Sequence, residues 1–91
     1  MELCWLTVRE AREALERGEL GPGELVQALL DRIQEVDPRV RAYISVFPQE
    51  ALDGAARASG GPLAGVPLAI KDNICIRGLE TTCASRILRG F

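Results

Sequence analysis

Lys71 is the only lysine in a chain whose ten other cations are arginines, and it sits where a short apolar run, Val66 to Ile70, meets Asp72-Asn73. The two cations differ in chemistry. Arginine stays charged in proteins, whereas burial can push lysine towards neutrality, and a neutral lysine accepts protons. A free lysine, with a pKa of about 10.4, is neutral in roughly one molecule in a few thousand at pH 7. Each unit of depression contributes about 1.4 kcal/mol towards a usable base. The chain contains no histidine, so it cannot by itself build Ser-His-Asp or Cys-His catalysis or a His-ligated zinc site. Lys71 is therefore the candidate base. A plainer reading also fits these residues: Lys71 pairs with Asp72 at the surface, and Asn73 turns the chain by local hydrogen bonding. Either way, Asp72 and Asn73 orient the lysine or fix the turn beyond it.

The remaining reactive side chains say less. Cys4, Cys75 and Cys83 are odd in number and show no C-x-x-C spacing. They read as reduced thiols that pack as small apolar residues.

The elements that must hold Lys71 can be read in order. Thr7-Val8-Arg9-Glu10 has the spacing of a capping box, which predicts a helix from Thr7 to about Arg17, stopped by Gly18. Its buried stripe would be Val8, Ala11, Ala14 and Leu15. A second helix is expected from Pro22, with Glu24 in its first turn and Leu25, Val26, Leu29, Leu30, Ile33 and Val36 at helical spacing. Asp37-Pro38 should end it, because the residue before a proline is biased out of helical geometry. By pattern alone, two such helices could equally be the core of a small helical adaptor. Val40 to Phe47 reads as a short strand or extended segment, and Pro48 to Ala58 as a third helix closed by Ser59-Gly60-Gly61.

Val66 to Ile70 is too short for a helix and apolar on both faces, which suits a strand inside a sheet covered by helices. Ile74 to Ile76 reads as extended, Arg77-Gly78 as a turn, and Arg86 to Leu88 as one helical turn. One or two further strand candidates cannot supply a whole sheet. The chain thus reads as the opening piece of a larger α/β protein.

Composition sets the outer bounds. At 91 residues, 47% hydrophobic and net charge −2, the chain has the balance of a globular protein rather than a disordered one. Residues 1–59 carry eleven acids against seven arginines, and residues 60–91 two acids against four cations, with no dense basic cluster interleaved with aromatics. Direct nucleic-acid binding gains no support from that pattern. No apolar run approaches the roughly 20 residues of a membrane span, and Met1-Glu2-Leu3-Cys4-Trp5 lacks the features of a signal peptide. A cytoplasmic location without membrane contact is the expectation.

Gly61-Pro62-Leu63-Ala64-Gly65-Val66-Pro67-Leu68-Ala69-Ile70-Lys71-Asp72-Asn73-Ile74, succeeded by Thr81-Thr82-Cys83-Ala84-Ser85-Arg86-Ile87-Leu88, resembles the amidase signature family. The Thr-Thr-Cys-Ala-Ser segment favours the branch formed by the A subunits of tRNA-dependent amidotransferases. Gly23-Glu24-Leu25-Val26 and Arg32-Ile33-Gln34-Glu35-Val36-Asp37-Pro38 resemble that branch's second helix and its exit. The resemblance spans essentially the whole chain but only about the N-terminal fifth of a full-length member.

The resemblance implies a particular α/β fold: the amidase signature fold, a large mixed sheet covered by helices. This chain would supply only its N-terminal helices and first strands. Residues 1–91 would form the N-terminal part of a single amidase domain, with a helical lead-in over 1–59 and a Gly/Pro-rich loop with the catalytic-lysine strand over 60–91. Lys71 matches the lysine of a Ser–cis-Ser–Lys triad whose serines lie in a downstream Gly/Ser-rich signature; Ser59 and Ser85 do not match them. The activity implied is glutamine hydrolysis that feeds ammonia to the conversion of Glu-tRNA(Gln) to Gln-tRNA(Gln), with Asp-tRNA(Asn) as a second candidate substrate. B and C subunits would be the partners, with tRNA held by a partner. No cofactor would sit on this chain, ATP and magnesium being bound in a partner subunit. Two rival readings stand beside this one: another amidase signature hydrolase of small amides, and an inert piece that acts only through interactions.

Overall fold

The order of elements follows from where the chain can cap a helix. In the computed structural model, which describes residues 2–91, a 3-10 turn at Leu3–Trp5 precedes three helices: α1 (Val8–Glu16), α2 (Pro22–Val40) and α3 (Pro48–Ala56). A second 3-10 turn, Arg86–Leu88, closes the sequence of elements.

The capping box of α1 forms in full: the Thr7 hydroxyl accepts from the Glu10 N–H (3.1 Å), and the Glu10 carboxylate accepts from the Thr7 N–H (2.9 Å). These two bonds, the backbone one first, hold the Glu10 carboxyl below its ordinary value. The helix ends at Glu16 with Arg17 as its C-cap, and Gly18 just beyond adopts φ 72°. The Gly18 N–H reaches the Leu15 carbonyl and the Glu19 N–H reaches that of Ala14, the paired closure that a left-handed glycine permits. That reversal drops Leu20 onto Ala11 and Leu25, and these three form the buried core, with Leu3, Leu6, Ala14, Leu15 and Leu29 packed around them. Val8, expected in the stripe, is instead 57% exposed.

Helix α2 starts as expected. Gly21 is its N-cap, Pro22 opens the first turn, and Glu24 accepts from the Gly21 N–H (3.3 Å). It does not stop at Asp37-Pro38, however, but runs on to Val40 with Pro38 inside it. Asp37 explains the extension. Its carbonyl accepts from the Arg41 N–H (2.6 Å) and its carboxylate from the Ala42 N–H (2.7 Å). Arg41 takes the left-handed conformation (φ 55°) that ends the helix. The proline bias against helix is a preference, and local bonds to Asp37 outweigh it here.

Of the short strand or extended segment expected over Val40 to Phe47, no strand forms. Val40 belongs to α2, and residues 41–47 run irregularly into α3, which packs back on α2. The α3 helix itself begins at Pro48 as predicted, and Gly60 and Gly61 come after it with positive φ.

No β-strand occurs among the described residues. Val66–Ile70 and Ile74–Ile76 are neither helix nor strand: their backbone groups find no neighbouring segment to form a ladder with. The Gly/Pro-rich approach is nevertheless docked. Gly65, at φ 84°, sits so close to α1 and the start of α2 that a Cβ there would lie 3.2 Å from Pro22 Cγ and 3.3 Å from Leu15 Cδ1. No helix of the described residues is long and apolar enough to cross a membrane.

Candidate active site

Beyond Gly65 the chain carries Lys71 out on an exposed turn. The Lys71 carbonyl accepts from the Ile74 N–H (3.0 Å), with Asp72 and Asn73 at the turn's centre. The expectation that Asp72-Asn73 turns the chain is met. The simple surface pair is not: none of the ion pairs among the described residues includes Lys71.

The Asp72 carboxylate is committed elsewhere. It accepts from the Thr82 N–H (3.1 Å), from the Thr82 hydroxyl, and from the Ala84 N–H (3.0 Å). Its main-chain carbonyl accepts from the Cys83 N–H (3.1 Å). Four donors from three consecutive residues thus converge on one aspartate. These bonds, the Thr82 hydroxyl first and then the Ala84 and Thr82 amides, hold its carboxyl below the usual carboxylate range.

The loop that supplies these donors is bent for the purpose. Cys83 and Ala84 both have positive φ, 51° and 59°. Left-handed geometry costs a non-glycine residue about 1–2 kcal/mol. Successive backbone amides so turned form a concavity suited to an anion, and here the chain's own carboxylate fills it. The far side of the loop is tied as well. Thr81 is buried and its N–H donates to the Phe91 carbonyl (2.9 Å), while the Gly90 N–H donates to the Glu80 carboxylate (2.7 Å). Ser85 caps the 3-10 turn Arg86–Leu88 by accepting from the Ile87 N–H (3.2 Å). Ser59 and Ser85 stand apart from any arrangement with Lys71 in the hydrogen-bond network of the described residues.

All three cysteines are free thiols, but the packing role expected of them holds only in part. Cys4 is half-buried, whereas Cys75 and Cys83 are exposed. Thr82 is the residue that sequence reasoning passed over. Its signal was the Thr81-Thr82 pair in a small polar run ten residues after a turn aspartate, a spacing that reveals nothing until the chain is folded.

Known proteins share this stretch. The family described as Amidase matches residues 24–91, which include the Gly/Pro-rich approach, the Lys71 turn and the Asp72 loop. Proteins named as the A subunit of glutamyl-tRNA(Gln) amidotransferase are similar over nearly all of this chain. The one from Desulfosudis oleivorans is 49% identical over 100% of the chain, and that from Moorella thermoacetica 48% over 97%. The one from Halothermothrix orenii is 45% identical over 100% of it. The chain spans about a fifth of the length of these curated relatives, 20%, 20% and 19% respectively. No solved structure matches.

Proposed function

The chain belongs to the Amidase family, and from that membership we propose that it forms the N-terminal part of an amidotransferase A subunit, to which it supplies Lys71 as the base in glutamine hydrolysis. The observation that carries this reading is the position of Lys71: the sole lysine of a histidine-free chain falls in the Ala69-Ile70-Lys71-Asp72 run inside the family match. Support for the amidotransferase branch comes from the relatives' names and their similarity along the chain.

In this reading residues 1–91 open a single amidase domain of α/β type, and Val66–Ile70 becomes a strand once the remainder of the sheet pairs with it. The nucleophilic and bridging serines come from the rest of that domain. Neutral Lys71 takes the nucleophile's proton through the bridging serine, and the serine oxygen attacks the side-chain carbonyl of glutamine. The C–N bond breaks, ammonia leaves, and water hydrolyses the acyl-enzyme to glutamate and free serine. Ammonia then serves the amidation of Glu-tRNA(Gln), with Asp-tRNA(Asn) as the second candidate. B and C subunits complete the cytoplasmic complex, and a partner subunit holds the tRNA and activates its carboxylate with ATP and magnesium.

The test is Lys71→Arg in the full-length protein assembled with its partners. Arginine preserves the positive charge but cannot act as a base at neutral pH. Glutamine hydrolysis, followed as ammonia release, should fall to background. Turnover near the wild-type rate would remove Lys71 from the mechanism.

A further inference from the structure

We propose that Asp72 is a positioning residue for Lys71: by filling the concavity of the Thr82–Ala84 loop, its carboxylate locks the turn from which the lysine projects. The inference rests on the reading of Lys71 as the base, and it adds two residues, Asp72 and Thr82, to the machinery of that reaction.

The connectivity carries it. Among the described residues, the bonds made by Asp72 are the only hydrogen bonds that join the segment 67–79 to anything outside it. The other bonds of that segment close its own turns, Ile74 to Lys71 and Leu79 to Ile76. The loop on the receiving side is a fixed support, closed on itself by the Thr81–Phe91 and Glu80–Gly90 bonds. Lys71 is thus one peptide unit from the single tie between its turn and that support. Its own carbonyl is held by Ile74, so the Cα of Lys71 is constrained on its C-terminal side by both bonds together. A base that receives a proton through a second side chain must be placed within hydrogen-bond reach, and a misplacement of about 1 Å can cost roughly a hundredfold in rate.

Three acceptor contacts on one carboxylate also define the variants. In Asp72→Asn the amide keeps one acceptor oxygen but turns an NH2 group towards the remaining donors, so it cannot accept all three. Thr82→Val removes the hydroxyl and keeps the shape, and Thr82→Ser restores the hydroxyl. The experiment measures ammonia release from glutamine by the full-length subunit in its complex, for Asp72→Asn, Thr82→Val, their double variant, Thr82→Ser and Lys71→Arg. Asp72→Asn and Thr82→Val should each lower kcat by about tenfold to a hundredfold, with KM for glutamine within about twofold of wild type. The double variant should be little worse than Asp72→Asn alone, because both remove one clamp. Thr82→Ser should recover most of the rate. A purely structural role would lower the amount of folded enzyme instead, and the serine would not restore kcat selectively. Should Asp72→Asn fail to assemble, the Thr82 pair carries the test alone. Clamp variants with kcat within about twofold of wild type, beside an inactive Lys71→Arg, would overturn the positioning role and leave the base intact. An active Lys71→Arg would overturn the base, and the positioning role with it.

Discussion

At the scale of single residues, Lys71 could be found in the sequence and its support could not. Lys71 declared itself by type and count: one lysine among arginines, in a chain without histidine. Asp72 looked like an ordinary turn residue, because aspartate after an apolar run has a local explanation. Its actual partners lie ten to twelve residues ahead, at a distance where spacing alone holds no information. The clamp makes a pH prediction of its own. Hydrogen bonds to the charged carboxylate hold the Asp72 carboxyl below its ordinary 3.8, so an unfolded loop takes up the proton first as pH falls. The clamp's contribution is therefore complete above that ordinary value and fades as pH drops through the lowered one. In the full-length subunit, the amide proton shifts of Thr82 and Ala84 should move together in acid with a midpoint below 3.8, and remain flat in Asp72→Asn. Shifts that titrate at the ordinary carboxylate value would mean that the clamp is not closed.

At the scale of elements, helices were legible because their signals are local. A capping box, a C-terminal glycine and a six-position apolar repeat lie within the helix that each specifies, so α1 and α2 begin where the sequence says. The end of α2 was missed because Asp37 holds the turn beyond the proline, its carbonyl accepting from the Arg41 N–H and its carboxylate from the Ala42 N–H, bonds that the pattern of residues does not announce. The strand readings failed for the opposite reason: a strand is completed by its neighbour, and Val66–Ile70 has none among the described residues. Two substitutions test these accounts in the full-length subunit. Arg41→Gly relieves a left-handed arginine at the end of α2, at the expense of some glycine entropy, and should stabilise by about 0.5–1 kcal/mol. Gly65→Ala does the reverse. It strains a residue at φ 84° and pushes a methyl group against Pro22 and Leu15, so the approach to Lys71 should be destabilised by about 1–2 kcal/mol. Urea midpoints read both; an unchanged midpoint in Gly65→Ala would mean that the approach is not docked on α1 and α2.

At the scale of the whole molecule, the deciding quantity is surface. A compact monomer of 9.9 kDa should expose about 5,200 Å². This chain exposes 7138 Å², and its radius of gyration of 14.3 Å exceeds the roughly 12 Å expected for its length. Only Ala11, Leu20, Leu25 and Val26 are buried apolar side chains among the described residues, while Leu68, Ile70, Ile74, Ile87 and Phe91 stand exposed, Ile87 at 93%. Four small and medium side chains bury too little apolar area to offset the conformational entropy of ordering about 90 residues. Seven of the thirteen large apolar side chains left exposed among the described residues lie in 63–91, the final third of the chain, which carries Lys71 and is where a covering sheet and helices would have to act. The isolated 91-residue chain should therefore melt without a cooperative transition, retain helical circular dichroism from α1 and α2, and bind a hydrophobic dye through residues 63–91. Within the full-length subunit the same residues should be protected from hydrogen exchange. A sharp two-state melt of the isolated chain, with a heat-capacity change near the roughly 1.2 kcal/mol/K typical of a folded domain of this size, would show that these residues need no cover.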